Sequence, residues 1–422
     1  MNMKPNIDIL EATRLTREGR LAEAMAILQG GLPSAHPSPT PGNAGGNEGQ
    51  HRVRPAARII DMVAPSSGRG AWTSPKFNFP HMTRDGSDGS AGGLGQPQMP
   101  EALRGFLDRM RQPGSLAGFD GLAGPVPARA PAPLPEGARF EERTFANETG
   151  GRAYKLYIPS GYTGQPVPLV VMLHGCTQSP DDFAAGTRMN ELAEEKTFLV
   201  AYPAQAQSAN VSKCWNWFNA TDQQRDRGEP SLIAGITRQI MHDFSVEPRQ
   251  VYAAGLSAGG AAAAIMGSAY PDLYSAVGVH SGLACGAARD MPSAFAAMRQ
   301  GGAPQHSGAE QPVPTIVFHG DRDTTVSPIN GDQVIAQSKA GADLQTTVSR
   351  GQAPGGINYT RTVACDDSGH PMLEHWVLHG AGHAWSGGSP SGSYTEPKGP
   401  DASREMMRFF LEHPKPRAAS PN

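Results

Sequence analysis

The residues GLSAG, Gly255 to Gly259, set a single hydroxyl between two glycines, after the run VYAA and before the helix-forming run AAAAIM. A serine at such a strand-to-helix turn is held in a strained backbone that lifts its oxygen clear of the sheet, where it can attack a carbonyl carbon. The hydroxyl is a weak nucleophile unless a base takes its proton and an acid orients that base. Both partner types follow in the chain. HGDRD carries Asp321 and Asp323 just past a predicted strand, and HGAGHAW carries His383 on a glycine-flanked loop past another. Ser257, Asp323 and His383 are therefore the expected catalytic set. Asp321 lies nearer the turn and is expected to shape it.

In α/β-hydrolases the triad occurs in this chain order, Ser, Asp, His. The oxyanion that forms on the attacked carbonyl needs N–H donors. Ala258 supplies one at the start of the helix after Ser257. The loop LHGCTQ, after a long buried strand, supplies a second from the backbone of Cys176, whose thiol is then structural. A Cys176 nucleophile paired with a histidine is the competing reading, but it leaves the serine turn and the GAGH loop unexplained. Trp385, Trp217 and Gln178 are the candidate substrate contacts; core packing competes for Trp217 and for Trp215 beside it. His375, His379 and His383 are four apart, a metal-ligand spacing on a helix, but Gly380, Gly382 and the run WVL point to a strand and loop. No metal and no cofactor is expected.

These side chains need a frame. VPLVVMLHG is a continuous apolar run of the kind buried on both faces of a parallel sheet. AYKLYIP, TFLVAYP, QVYAAGLS, AVGVHS, PTIVFHG and HWVLHG read as further strands. SPDDFAAGTRMNELAEEK, with a serine cap followed by proline and acids, reads as one helix. EPSLIAGITRQIMHDF, AGGAAAAIMGSAY, INGDQVIAQSKAG and DASREMMRFFLEH are the others. The alternation predicts an α/β fold, a doubly wound and mostly parallel sheet, over residues 138–415, with 416–422 as a flexible tail.

Upstream the texture differs. Residues 1–30 read as a short helical segment, and 31–137 as a Pro/Gly-rich lead with short ordered pieces at ARIIDMV and PEALRGFLDRMRQ. Of the chain's 51 Gly and 38 Pro, 20 and 17 fall in the first 137 residues, a density above that of the rest, and this part buries too little apolar surface to offset its ordering entropy. A net charge of −3 over 422 residues argues against nucleic acid as a partner. No run of 18 apolar residues is present to span a membrane. The first residues lack the apolar core of a secretory signal, so a cytoplasmic location is expected. Cys176, Cys214, Cys285 and Cys365 allow two disulfides in three connectivities, or free buried thiols.

LHGCTQSPDDFAAGTRMNELAEEKTFLVAYP, CWNWF, VYAAGLSAGGAAAAIM, FHGDRDTTVSPING and GAGHAWSGG occur in that order, and together they resemble the poly(3-hydroxybutyrate) depolymerase esterases. That family is related to feruloyl and acetylxylan esterases of the α/β-hydrolase superfamily. The resemblance covers about residues 140–413. It implies ester hydrolysis by Ser257, Asp323 and His383 without a cofactor, on a polyester or its oligomers. Feruloyl or acetyl esters of polysaccharide are the alternative substrates. Members are commonly secreted, which sets an extracellular location against the cytoplasmic expectation. A non-catalytic protein that binds polyester granules through the N-terminal helix is the alternative of another class.

Overall fold

The computed structural model describes residues 133–302, 313–339 and 342–416. The expected helix at 1–30, nearly all of the 31–137 lead and the tail from 417 lie outside the described residues. Secondary structure runs from Arg139 to Glu412. The strands, in chain order, are β1 (Arg139–Asn147), β2 (Gly150–Ile158), β3 (Val167–Leu173), β4 (Leu199–Pro203), β5 (Val246–Leu256), β6 (Ala276–His280), β7 (Thr315–Gly320), β8 (Gln345–Gln352), β9 (Asn358–Cys365) and β10 (Pro371–Leu378). Among the described residues they form one sheet of ten, ordered β1-β2-β4-β3-β5-β6-β7-β10-β9-β8. The six central strands from β4 to β10 are parallel; β1, β2, β9 and β8 add antiparallel margins. Two short strands, β11 (Trp385–Ser386) and β12 (Thr395–Glu396), pair separately.

The helices are α1 (Pro180–Thr187), α2 (Met189–Lys196), α3 (Gly228–Asp243), α4 (Ala258–Ala269), α5 (Met291–Gln300), α6 (Ile329–Lys339) and α7 (Ala402–Glu412). Every residue of β4, β6 and β7 is buried, which is why these strands read as unbroken apolar runs. One core layer joins Leu169, Val171 and Leu173 to Ile233 and Ile236 of α3 and to the alanines of α4. The layer on the other face joins Val170 and Met172 to Phe183 of α1, Leu192 of α2 and Met406, Phe409 and Phe410 of α7. Helices thus cover both faces, and the sheet is doubly wound. Tyr252 of β5 stacks on Phe410 with ring centroids 4.8 Å apart, fixing α7 over the middle of the sheet.

Several local outcomes differ from the sequence reading. The single helix over 179–196 is two helices, broken at Arg188 with φ 58°. The carbonyls of Gly186 and Thr187 accept from Ser389 N–H and Ser403 Oγ, so tertiary partners take the acceptors that a continuous helix would use. α5 lies in a stretch over which the sequence predicts neither a helix nor a strand. Its start is set by a capping box, Asp290 Oδ1 accepting from Ser293 N–H at 2.8 Å and Ser293 Oγ from Asp290 N–H at 3.1 Å. The β8–β9 hairpin went unread because β8 is exposed and polar, with no apolar alternation to signal it.

Candidate active site

Ser257 joins β5 to α4 with φ 58° and ψ −120°, a conformation that a residue with a Cβ adopts at a cost of about 1–3 kcal/mol. The two glycines of GLSAG are required by close approach. A Cβ on Gly255 would lie 2.3 Å from the Gly259 carbonyl oxygen, and one on Gly259 would lie 2.0 Å from that of Leu173. The turn is pressed onto the end of β3, and any side chain there would force backbone apart. Ser257 N–H donates to the His280 carbonyl at 2.9 Å, and its own carbonyl accepts from Ala261. Ala258 begins the helix, so its N–H has no intrahelical acceptor.

The loop after β3 lies against this turn, since a Cβ on Gly175 would stand 3.7 Å from Ser257 Cβ. Thr177 has φ 67°, and its N–H donates to the Ser212 carbonyl at 2.7 Å. Cys176 is bonded to Cys214, which resolves the open connectivity; Cys285 and Cys365 carry free thiols. The neighbouring Trp215 donates its indole N–H to the His174 carbonyl at 3.1 Å. His174 is buried and neutral. Its Nε2 accepts the Gln205 N–H at 3.1 Å, Nδ1 faces the Gly175 carbonyl, and burial pushes its pKa down to about 4. The CWNWF segment therefore acts as a buttress for the Cys176 loop.

Asp323 and His383 meet on the other side. His383 Nδ1 is 2.6 Å from Asp323 Oδ2, and that carboxylate is wholly buried. Its second oxygen accepts the N–H groups of Thr325 at 2.9 Å and Val326 at 2.8 Å. Burial opposes the charge on Asp323, but His383 and a further bond from His319 hold its pKa well below the usual carboxylate range. Asp321 pairs instead with His379 at 2.9 Å and accepts the Gly380 N–H at 2.7 Å. Arg322 N–H donates to the Ala381 carbonyl at 3.0 Å, so the acid loop grips the base loop directly before His383. Among the described residues no hydrogen bond joins Ser257 Oγ to His383. Apo sites commonly hold that contact long.

The three expected substrate contacts are all buried. Trp385 is 1% exposed, edge-on to Phe183, stacked on His280, and bonded through its indole N–H to Ser403 Oγ at 3.0 Å. It cannot line the mouth of the site: β11 turns its ring inward under α7. Trp217 packs edge-on against Phe218 and lines a small internal cavity with Trp215 and Glu229. Gln178 spends its amide inside the fold. Its oxygen accepts the Gly175 N–H at 2.9 Å, and its nitrogen donates to Asp182 at 2.9 Å and to the Ser393 carbonyl at 3.2 Å. Gln178 braces the Cys176 loop and has no amide atom spare for a ligand. Sequence reasoning also passed over His280, whose one signal is a histidine ending an otherwise apolar buried strand.

A strained serine, an imidazole held by a buried carboxylate and the N–H at the start of the helix are the groups that acyl transfer needs. Residues 152–351 match the family described as Esterase PHB depolymerase. Poly(3-hydroxyalkanoate) depolymerase C of Paucimonas lemoignei is 31% identical over 251 residues, an alignment covering 57% of this chain and 60% of that protein. Feruloyl esterase B of Thermothelomyces thermophilus is 27% identical over 257 residues, covering 56% of this chain and 84% of that one. The solved acetyl xylan esterase from Aspergillus awamori superposes with a TM-score of 0.52 at 19% identity, covering 65% of this chain and 99% of that chain. At that identity the superposition speaks for the α/β-hydrolase fold alone.

Proposed function

We propose that this chain, whose residues 152–351 match the family described as Esterase PHB depolymerase, is a serine esterase acting on hydroxyalkanoate polyesters or their oligomers. The observation that carries this reading is the 2.6 Å pair of His383 with the fully buried Asp323, on loops beside the strained Ser257. His383 takes the Ser257 proton through Nε2 as the oxygen attacks the ester carbonyl. Asp323 holds the ring by Nδ1–H and stabilises its charged form. The N–H groups of Cys176 and Ala258 hold the oxyanion. The alcohol leaves with the proton from His383, and water, deprotonated by the same imidazole, then releases the acid and frees Ser257.

Esters of plant polysaccharide are the second reading, favoured by the larger share of feruloyl esterase B that the chain spans, 84% against 60% of the depolymerase. The disulfide between Cys176 and Cys214 supports action outside the reducing cytosol, where such bonds persist. Purified wild type and Ser257→Ala, assayed on p-nitrophenyl butyrate, hydroxybutyrate oligomers, amorphous polyester and methyl ferulate, decide among these. Serine-dependent release of hydroxybutyrate supports the polyester reading. Preferential ferulate turnover supports the second. Turnover of none of them, with retained binding to polyester particles, would replace both with a granule-binding protein.

A further inference from the structure

His280 ends β6 with its ring entirely out of solvent. Its two ends face two different parts of the site. The backbone carbonyl accepts the N–H of Ser257 at 2.9 Å. The side-chain Nε2 accepts the N–H of Ser386, three residues beyond His383, at 3.0 Å. A backbone N–H can only donate, so Nε2 is bare and the ring proton sits on Nδ1, which faces Ser281 Oγ at 3.2 Å. The ring is stacked between Trp385, at 5.2 Å, and Phe318, at 5.8 Å. Burial, with His319 and His383 nearby, pushes its pKa down to about 3, so the ring keeps its acceptor at any working pH.

Besides the pairing of β11 with β12 and the Trp385–Ser403 bond, the base loop is tied on each side of His383 to a segment that carries another member of the site. Before His383, Ala381 is bonded to Arg322 of the acid loop. After His383, Ser386 is bonded to His280 at the end of β6, the strand beside β5, whose end carries the nucleophile. The first tie sets the distance between acid and base, which the Asp323–His383 bond also sets. Among the described residues no hydrogen bond joins base and nucleophile directly. We propose that His280 is the positioning residue that sets the distance between Ser257 and His383, by accepting the Ser257 N–H on its carbonyl and the Ser386 N–H on its ring. The proposal rests on reading Ser257, His383 and Asp323 as the triad. His280 touches no reacting atom; it acts through the backbone on either side.

The test uses full-length protein and p-nitrophenyl butyrate, with active sites counted by exhaustive labelling with a fluorophosphonate. Gln at 280 carries an acceptor near the Nε2 position, Asn carries one near Nδ1, and Leu keeps the bulk with no acceptor. A displacement of about 1 Å costs about 10²-fold in rate. Per labelled site, kcat is therefore expected to fall about 10- to 100-fold in His280→Leu and His280→Asn, with KM within about twofold, and to recover to within a few-fold of wild type in His280→Gln. A purely structural role would lower the number of labelled sites and leave kcat per site unchanged; that result overturns the proposal. A His280→Gln enzyme as slow as His280→Asn also overturns it, and this pair decides the matter if His280→Leu does not fold. Wild type that neither takes the label nor turns over the ester removes the triad reading itself, and the proposal with it. An active wild type with indifferent variants removes the proposal alone.

Discussion

The two walls beside Ser257 are built on one plan from different materials. Each is pinned by a buried neutral imidazole whose Nε2 accepts a backbone N–H: His174 from Gln205 on the Cys176 side, His280 from Ser386 on the His383 side. The Cys176 wall adds a covalent bond to Cys214, the Gln178 brace and the Trp215 indole. The His383 wall has no such cross-link among the described residues, only hydrogen bonds and the packing of Trp385 on His280 and Phe183, and its loop passes through Gly380, at φ 84°, and Gly382. An oxyanion donor must not move during the reaction, because its value lies in being aimed beforehand. A base must take a proton from one oxygen and give it to another, which a hydrogen-bonded loop permits. In the proposed mechanism the rigid wall would carry the oxyanion donor of Cys176 and the compliant wall the base, His383.

The largest expected effect breaks the compliant wall at its centre. Asp323→Asn leaves the shape intact but offers His383 the wrong partner, and kcat should fall by about 10⁴-fold in steady-state assays. Breaking the rigid wall costs less rate and more stability. Cys214→Ser opens a loop of sequence separation 38, and urea unfolding should show a loss of about 2–4 kcal/mol. Thiol titration of denatured, unreduced protein should give two groups, Cys285 and Cys365, rising to four after reduction.

Acid acts on both walls together. The folded pKa values of His174 and His280, about 4 and about 3, lie below the unfolded value of about 6.5. The unfolded chain therefore binds more protons within that window. Each imidazole should remove about 1.4 kcal/mol of stability per pH unit as pH falls below about 6.5, and add no slope above it. Urea midpoints measured from pH 8 to pH 4 check this, and His280→Gln should lessen the slope. The smallest effect is expected at the rim. Asp321→Asn alters the half-exposed contact with His379 and should change kcat by less than about tenfold; a loss as deep as that of Asp323→Asn would make Asp321 the acid.

Much of this was legible before any coordinates. Ser257, Asp323 and His383 were marked by residue type, chain order and position after apolar runs, and the buried parallel strands by those runs themselves. Trp385 was misread because its nearness to His383 in sequence suggested nearness to substrate. Its direction is set by Ser403 of α7 and Phe183 of α1, 18 and 202 positions away in the chain. Gln178 was misread because an amide beside a functional loop serves the loop or a ligand equally well until its partners are known. β1 and β8 were missed because edge strands bury one face or neither.

The sequence by itself determined the chemistry on offer and the α/β-hydrolase frame, because glycine pairs, apolar periods and chain order are local signals that survive without tertiary contacts. Only the tertiary structure decided which cysteines pair, that Asp321 turns to His379 while Asp323 meets His383, as expected, and that His280 joins the two halves of the site. Those outcomes depend on distances between segments 38 to 106 residues apart. Such distances are set by how strands order themselves in the sheet, and no short-range pattern encodes them.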